Sequence, residues 1–225
     1  MTKLSDTVVI FDLDGTLIDS APDLTAALNR ALLREGLDEI DESKVKALVG
    51  EGARALLEKG FALQGKCFPA GRRGDDIVAG YIDDYQRRLS ERSAPFPKVR
   101  ETLERLKARG AALAVCTNKL ECLAEPVLAD FQLRQYFQMV VAADTFEEKK
   151  PSPLPLVNIV EETRRPRAVL IGDTYTDLAA ADAAHMPCLI ARFGYGQHDR
   201  RLSEAAHFDS FEQLPALIGG LWSEA

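Results

Sequence analysis

Short, nearly continuous apolar runs recur along the chain, and each ends where a polar or glycine-containing segment begins. Because these runs do not alternate between apolar and polar residues, they are typical of strands buried on both faces of a parallel sheet. The runs occupy residues 8–11, 113–116, 139–142, 169–171 and 188–190. The pattern therefore predicts five strands of one sheet.

Between the later runs, apolar residues recur at helical spacing. Residues 99–109 place Leu103 and Leu106 on one face and end at Gly110, a residue type that commonly terminates helices. Further helices are predicted over residues 120–129, 154–162 and 177–184. Strands that alternate with helices predict an α/β fold, in which ligands bind beyond the carboxyl ends of the strands.

The first interval between strands is different, because about one hundred residues lie there, far more than a crossover needs. Ser20 is predicted to cap a helix with Pro22 in its first turn, and residues 45–57 and 77–89 predict two more helices. We therefore expect an α/β core with an all-helical cap inserted after the first strand. The expected boundaries are 1–17 and 95–225 for the core and 18–94 for the cap.

Composition excludes several classes of protein without selecting one. Of the 225 residues, 46% are hydrophobic and 28% are charged, which is a globular balance rather than that of a membrane protein. The net charge of −7 disfavours nucleic acid and anionic membranes as partners. The first nine residues lack the apolar run of a signal peptide, and the four cysteines form no CxxC pair. We expect a cytoplasmic protein with reduced thiols, and the oligomeric state stays open.

Two aspartates, Asp12 and Asp14, follow the first strand directly, in the sequence DLDGT. A carboxylate at this position can attack phosphorus as a nucleophile, and a second one can protonate the leaving oxygen and then activate water. Mg²⁺ suits such oxygen ligands and would offset the repulsion between the two carboxylates. A short motif of this kind is equally typical of a turn with a helix cap, so both interpretations stay open at this point.

Polar residues also follow the other predicted strands. Thr117 and Asn118 come after the second strand, where a hydroxyl and backbone N–H groups can bind phosphate oxygens, and a lysine pair precedes Pro151 after the third. After the fourth strand, Asp173 is a candidate metal ligand and Asp177 a candidate for orienting a neighbouring group. Helix capping or solvation explains each pattern alone, but their occurrence at consecutive strand ends favours one common site.

In this order, the motifs DxDGT, Thr-Asn, Lys-Pro and GDxxxD resemble those of the haloacid dehalogenase-like superfamily, and the helical insert resembles its C1-type cap. The resemblance extends from residue 8 to about residue 217. It implies a Rossmann-like core with strand order 5-4-1-2-3, a mobile cap over the active site and a Mg²⁺ cofactor.

The resemblance also implies roles for the acidic residues. Asp12 corresponds to the nucleophile and to one metal ligand. Asp14 corresponds to the general acid and base, and its backbone carbonyl to a second metal contact. Asp173 corresponds to the remaining metal ligand, and Asp177 to the acid that supports the site.

For phosphate binding, Thr117 corresponds to the hydroxyl that binds the phosphate, with Asn118 beside it. Lys150, rather than Lys149, corresponds to the lysine of the family, because it directly precedes the proline. Thr16 corresponds to a residue that helps hold the loop around the nucleophile.

Asp14 also discriminates within the superfamily, because dehalogenases release halide without a proton and lack this acid. Its presence implies a phosphate ester as the substrate, while sugar phosphomutases keep both carboxylates. The cap stretch with Gly50 and Gly52 resembles that of phosphoglycolate phosphatases and their near relatives. Arg54 is a candidate for binding a substrate carboxylate in a bidentate way, with a surface position as the alternative.

The predicted function is a Mg²⁺-dependent phosphatase that hydrolyses a small phosphorylated metabolite through an aspartyl-phosphate, with phosphoglycolate as the first expectation. Three alternatives stay open: a sugar phosphomutase, a phosphatase of another sugar phosphate, and a non-catalytic interaction protein.

Overall fold

The computed structural model describes residues 3–196 and 199–222. The strands in these residues are β1 (Thr7–Phe11), β2 (Ile18–Asp19), β3 (Ala94–Pro95), β4 (Ala112–Cys116), β5 (Met139–Val141), β6 (Arg167–Gly172), β7 (Cys188–Ala191) and β8 (Ala206–Phe208). The α-helices are α1 (Ala21–Arg34), α2 (Glu42–Lys46), α3 (Ala53–Leu63), α4 (Arg72–Gln86), α5 (Val99–Ala108), α6 (Glu121–Asp130), α7 (Leu154–Thr163), α8 (Tyr175–Ala183) and α9 (Leu214–Gly220). Within the described ranges, no helix combines the length and the apolar character needed to cross a membrane.

One six-stranded sheet forms the centre of the molecule, in the order β5-β4-β1-β6-β7-β8, and every neighbouring pair in it is parallel. This confirms the predicted α/β fold, and the five predicted strands stand in the order that the family resemblance implies. β8 is an additional strand at the edge, beside β7. The sequence does not predict it, because its three residues include a histidine and form no apolar run.

The sheet is buried on both faces, which explains the continuous apolar runs. In β1, Val9 and Phe11 belong to one hydrophobic cluster and Val8 and Ile10 to the other, since successive side chains point to opposite faces. The first cluster includes side chains of α5, α6 and α9, and the second includes side chains of α7 and α8. The core is therefore a three-layer sandwich of helices around a sheet.

Four helices, α1 to α4, lie between β1 and the rest of the sheet in the sequence. A short antiparallel ribbon of β2 and β3 connects them to the core and pairs Ile18 with Pro95. The buried Asp23 accepts hydrogen bonds from the backbone N–H groups of Arg92 and Ser93, which ties the start of α1 to the end of the insert. We propose that residues 18–94 form the cap and that 1–17 and 95–225 form the core.

Two local predictions in this insert need correction. The helix predicted over residues 45–57 is wrong, since α2 ends at Lys46 and α3 begins at Ala53. Gly50 and Gly52 interrupt it with φ angles of 120° and 94°, which a continuing α-helix does not contain. Ser20 does occupy the N-cap position of α1, but its hydroxyl makes no capping hydrogen bond.

Candidate active site

The predicted site residues come together at the carboxyl edge of the sheet. Asp12 directly follows β1, Thr117 follows β4 and Asp173 follows β6. The N–H of Asp12 donates to the carbonyl of Ile171 (2.8 Å), and that of Thr117 donates to Val141 (2.9 Å). These hydrogen bonds to neighbouring strands fix the backbone at Asp12 and Thr117, and therefore the positions from which their side chains extend.

Three buried carboxylates, those of Asp12, Asp173 and Asp177, each place an oxygen within 4.8 Å of the other two. Asp177 already uses both of its oxygens. Its Oδ2 accepts from the N–H groups of Asp173 and Thr174 and from the Thr174 hydroxyl, which forms a capping box at the start of α8. Its Oδ1 accepts from Lys150 at 2.6 Å. Asp177 therefore positions Lys150, and Asp12 and Asp173 are the better candidates for metal ligands.

Lys150 is buried between two acids, with its side chain only 1% exposed. Its Nζ lies 2.6 Å from Asp177 Oδ1 and 2.9 Å from Asp12 Oδ1. Burial lowers the pKa of Lys150, but the charges of Asp12 and Asp177 outweigh burial and raise it above its usual value. The ammonium thus keeps its positive charge beside Asp12 at neutral pH.

The carboxylates carry more negative charge than this one ammonium balances. Burial and the charge of Asp177 together raise the pKa of Asp12 to about 7, although Lys150 lowers it. Burial, together with the charges of Asp177 and Asp12, also raises the pKa of Asp173 well above its usual value. A divalent cation held by oxygen ligands would compensate this charge. The cluster therefore fits a metal ion.

The loop that follows Asp12 is closely packed against Asp173. The hydroxyl of Thr16 donates to Asp173 Oδ1 at 2.9 Å, and the N–H of Tyr195 donates to Oδ2 at 2.7 Å. Gly15 has a φ of 84°, and a Cβ there would lie 2.3 Å from Asp173 Oδ2. Thr16 thus links the DxDGT loop to the acid after β6, and only glycine fits at the residue before it.

Lys119 is a site residue that the sequence reasoning missed. Its side chain is only 3% exposed, and its Nζ lies 3.0 and 3.1 Å from the two carboxylate oxygens of Asp14. The same ammonium donates to the hydroxyl of Tyr85 on α4 (2.8 Å), so it joins the core to the helical insert. The available signal was a third polar residue after β4, directly following Thr117 and Asn118.

Thr117 and Asn118 both border the cleft between core and insert. Thr117 does not cap α6, whose N-cap is Leu120; its hydroxyl accepts from the N–H of Lys119. The amide nitrogen of Asn118 donates to the carbonyls of Gly50 (2.9 Å) and Lys150 (2.8 Å). Asn118 therefore connects the glycine loop of the insert to the core.

Arg54 does not reach this cleft. Its side chain is 46% exposed, pairs with the exposed Asp75 and lies over the ring of Phe68. Ala53 and Leu56, on the same helix, do line the cleft. Because successive helical residues are about 100° apart, a helix that presents these two to the cleft turns Arg54 away from it.

The cleft has about 500 Å³ of empty space, counting its opening to solvent. Its core side is polar apart from Leu120 and Leu123, and its insert side is mostly apolar. The polar side consists of Asp12, Asp14, Thr117, Asn118 and Lys119, and the apolar residues of the insert side include Leu24, Val49, Ala53 and Leu56. Tyr81 and Tyr85 add two phenol groups from α4. The arrangement places two carboxylates and an ammonium group around one cleft.

Comparison with known proteins agrees with this geometry. A family model described as haloacid dehalogenase-like hydrolase matches residues 9–191. Phosphoglycolate phosphatase from Caulobacter vibrioides is 42% identical over 194 residues, which are 85% of this chain and 81% of that protein.

Solved structures are similar along almost the whole chain. A predicted phosphoglycolate phosphatase from Haemophilus somnus 129pt superposes with a TM-score of 0.88 and 28% identity, over 97% of this chain and 99% of the other. A variant of CbbY from Rhodobacter sphaeroides, in complex with xylulose-(1,5)-bisphosphate, has a TM-score of 0.78 and 26% identity, over 94% and 97% of the two chains.

Proposed function

The chain belongs to the haloacid dehalogenase-like hydrolases and is a phosphatase of the phosphoglycolate phosphatase type, and from that premise we propose that it hydrolyses phosphoglycolate with Mg²⁺ as its metal. The observation that carries the proposal is the pairing of two aspartates with different surroundings. Asp12 is buried beside Lys150, whereas Asp14 borders the cleft beside Lys119. One is suited to attack phosphorus and the other to exchange protons with the alcohol and with water.

In the first step, a carboxylate oxygen of Asp12 attacks phosphorus in line with the ester bond. The bond from phosphorus to the alcohol oxygen breaks, and Asp14 donates a proton to that oxygen. Thr117 holds a non-bridging phosphate oxygen, and the buried ammonium of Lys150, fixed 2.9 Å from Asp12 Oδ1, stabilises the negative charge beside the nucleophile. The products of this step are the free alcohol and an aspartyl-phosphate on Asp12.

In the second step, Asp14 removes a proton from a water molecule that attacks the phosphorus of the aspartyl-phosphate. The bond between phosphorus and Asp12 breaks, which releases inorganic phosphate and restores the carboxylate. The contacts of Lys119 with Tyr85 and of Asn118 with Gly50 hold the insert against the core. They help to exclude bulk water from the first step.

The carboxylates of Asp12 and Asp173 and the backbone carbonyl of Asp14 would hold the metal ion. A bound Mg²⁺ supplies positive charge that stabilises the transferred phosphoryl group. Support for this assignment comes from the excess of buried carboxylate charge around Lys150 and from the all-oxygen donor set. A cytoplasmic location stays a prediction from the sequence.

A sugar bisphosphate is the second candidate substrate, because the related CbbY variant was crystallised with xylulose-(1,5)-bisphosphate. The higher identity to a phosphoglycolate phosphatase (42%) than to the CbbY variant (26%) favours the two-carbon substrate over the five-carbon one. Bulky contacts on the insert side, from Leu24, Leu56 and Tyr81, limit the space beside Asp14.

The test measures phosphate release from phosphoglycolate, xylulose 1,5-bisphosphate and glucose 1,6-bisphosphate, after chelation and after addition of Mg²⁺. We expect Mg²⁺-dependent release that is fastest with phosphoglycolate, and none from Asp12→Asn. Faster hydrolysis of the pentose bisphosphate would assign the second candidate. With glucose 1-phosphate added alongside the hexose bisphosphate, its conversion into glucose 6-phosphate without release of free phosphate would identify a mutase instead, since the phosphoryl group then passes from Asp12 back to sugar.

A further inference from the structure

Lys119 is the one cationic side chain among the described residues that line the cleft. Lys150 is not among these residues, and its buried ammonium is fixed between Asp12 and Asp177. Lys149 is exposed and donates to the carbonyl of Glu51 at the rim. A substrate whose alcohol carries a second negative charge therefore meets one positive group inside the cleft, and that group is Lys119.

The position of Lys119 also matches the alcohol side of the reaction. Its ammonium contacts both oxygens of Asp14, the group that protonates the leaving oxygen under the proposed mechanism. In a phosphorylated 2-hydroxy acid, the carboxylate carbon is only two bonds from that oxygen. Whatever brings the leaving oxygen to Asp14 therefore brings the carboxylate close to Lys119.

Tyr81 supplies a second, independent observation. Its hydroxyl is buried, yet it has no hydrogen-bond partner, although Tyr81 lines the same cleft. Buried hydroxyl groups are rarely left without a partner, and this one is available to a ligand. Burial raises the pKa of Tyr81, so the phenol stays protonated at neutral pH and can donate to an anion.

Tyr85 holds the ammonium from the other side. Its hydroxyl accepts from Lys119 at 2.8 Å, and Lys119 Nζ lies 4.6 Å from the centre of its ring. The lysine is thus fixed by core and insert together. A fixed ammonium loses less conformational entropy on binding an anion than a mobile surface lysine does.

We propose that Lys119, together with the Tyr81 hydroxyl, binds the carboxylate of the substrate and so selects phosphorylated 2-hydroxy acids. This inference rests on the proposed phosphatase function and adds the residues that recognise the substrate beyond its phosphate. Lys119 replaces Arg54 as the carboxylate-binding residue, because Arg54 lies on the outer surface, paired with Asp75.

The experiment compares two esters of similar size, phosphoglycolate and 2-hydroxyethyl phosphate, which has a neutral hydroxyl in place of the carboxylate. Steady-state kcat and KM are measured for the wild type, Lys119→Met and Lys107→Met. Lys107 is the matched control, because it also lies over a tyrosine ring but is on the outer surface, where it donates to a backbone carbonyl.

We expect Lys119→Met to lose about 10- to 100-fold in kcat/KM on phosphoglycolate, mostly through KM, as is typical of a lost hydrogen bond to a charged group. On the neutral ester, Lys119→Met should lose clearly less, because only its contacts with Asp14 and Tyr85 act there, so the preference for phosphoglycolate falls. Lys107→Met should match the wild type on both esters.

Equal losses on both esters, carried by kcat, would overturn the proposal and would show that Lys119 acts through Asp14 alone. A wild type that hydrolyses neither ester would overturn the proposed function itself, which is a distinguishable result.

Tyr81→Phe is the second test variant and is used if Lys119→Met does not fold, since the Tyr81 hydroxyl has no hydrogen-bond partner to lose. We expect Tyr81→Phe to keep its thermal stability and to lose about 3- to 10-fold on phosphoglycolate only. An unchanged preference between the esters in Tyr81→Phe would also overturn the proposal.

Discussion

Thr16→Val removes one hydroxyl at a fully buried position and keeps the shape of the side chain. The hydroxyl donates to Asp173 Oδ1 at 2.9 Å, and its loss leaves that oxygen without the bond. A hydrogen bond to a charged group contributes about 1.5–3 kcal/mol, so we expect a loss of about 2 kcal/mol in the free energy of unfolding. For a chain of this size, that loss corresponds to a fall in Tm of about 4–8 °C.

The assay is urea-induced unfolding followed by circular dichroism, with EDTA present so that metal binding does not contribute. Thr7→Val is the matched control, because Thr7 is equally buried, but its hydroxyl makes only a 3.3 Å contact with the partly exposed Asp6. We expect this control to change stability by less than about 0.5 kcal/mol, as is usual where no strong interaction is lost.

The same variant should also weaken metal binding, because the Thr16 hydroxyl orients a candidate ligand. Loss of such a supporting contact typically costs about 10- to 100-fold in metal affinity, which a Mg²⁺ titration of activity would measure. Equal stabilities for Thr16→Val and Thr7→Val would refute the reasoning, since the bond to Asp173 would then carry no net energy.

Further predictions concern the acid, the cap and a close approach of the backbone. Asp14→Asn should nearly abolish turnover of phosphoglycolate but spare much more activity on p-nitrophenyl phosphate, whose leaving group needs no proton; equal losses on both would contradict the assigned role. In Asp84, burial opposes ionisation, but hydrogen bonds and charges from Arg30 and Arg34 outweigh it and lower the pKa. A carboxyl whose pKa is lower in the folded state than in the unfolded state stabilises the protein at pH values above its unfolded pKa, and this stability is lost as the pH falls through its folded pKa. Asp84→Asn should therefore flatten the fall of Tm at acid pH. A wild-type profile of Tm against pH in the variant would contradict this. Gly194→Ala should lower Tm by several degrees, because the added Cβ would lie 2.2 Å from Asp173 Cβ. Gly36→Ala is the control, since its Cβ would have no neighbour within 4 Å and only the strain of its positive φ is tested. Equal falls in Tm for the two variants would contradict the steric argument.

The central strands and the acids that follow them could be inferred from local patterns, whereas the order of the strands in the sheet came from the family resemblance. A strand buried on both faces must be apolar throughout, so β1, β4 and β6 are visible as continuous runs. The residue after such a run is the first that can be polar, and parallel strands present these residues at one edge. Asp12 and Asp173 were therefore predictable as neighbours even though they are far apart in the sequence.

The cap side of the site was not predictable in this way. Arg54 had the right chemistry for a carboxylate, but the start of α3 at Ala53 turns it to the surface. In the sequence, nothing distinguishes Lys119 from a surface lysine, whereas in the structure its ammonium lies between Asp14 and Tyr85. No periodicity in the chain encodes that contact, because it joins the segment after a strand to the last turn of a helix that is distant in the sequence.

By itself, the sequence determined the α/β class, the inserted helices and the set of acids at the strand ends, because each of these depends on spacing within one element or at its end. The tertiary structure alone decided which cations enter the cleft, because that depends on how the helical insert packs on the core. The two buried lysines differ in position: Lys150 is held between Asp12 and Asp177, whereas Lys119 lines the cleft beside Asp14. Packing across the two parts of the molecule, rather than local pattern, fixes the side of the site that meets the alcohol.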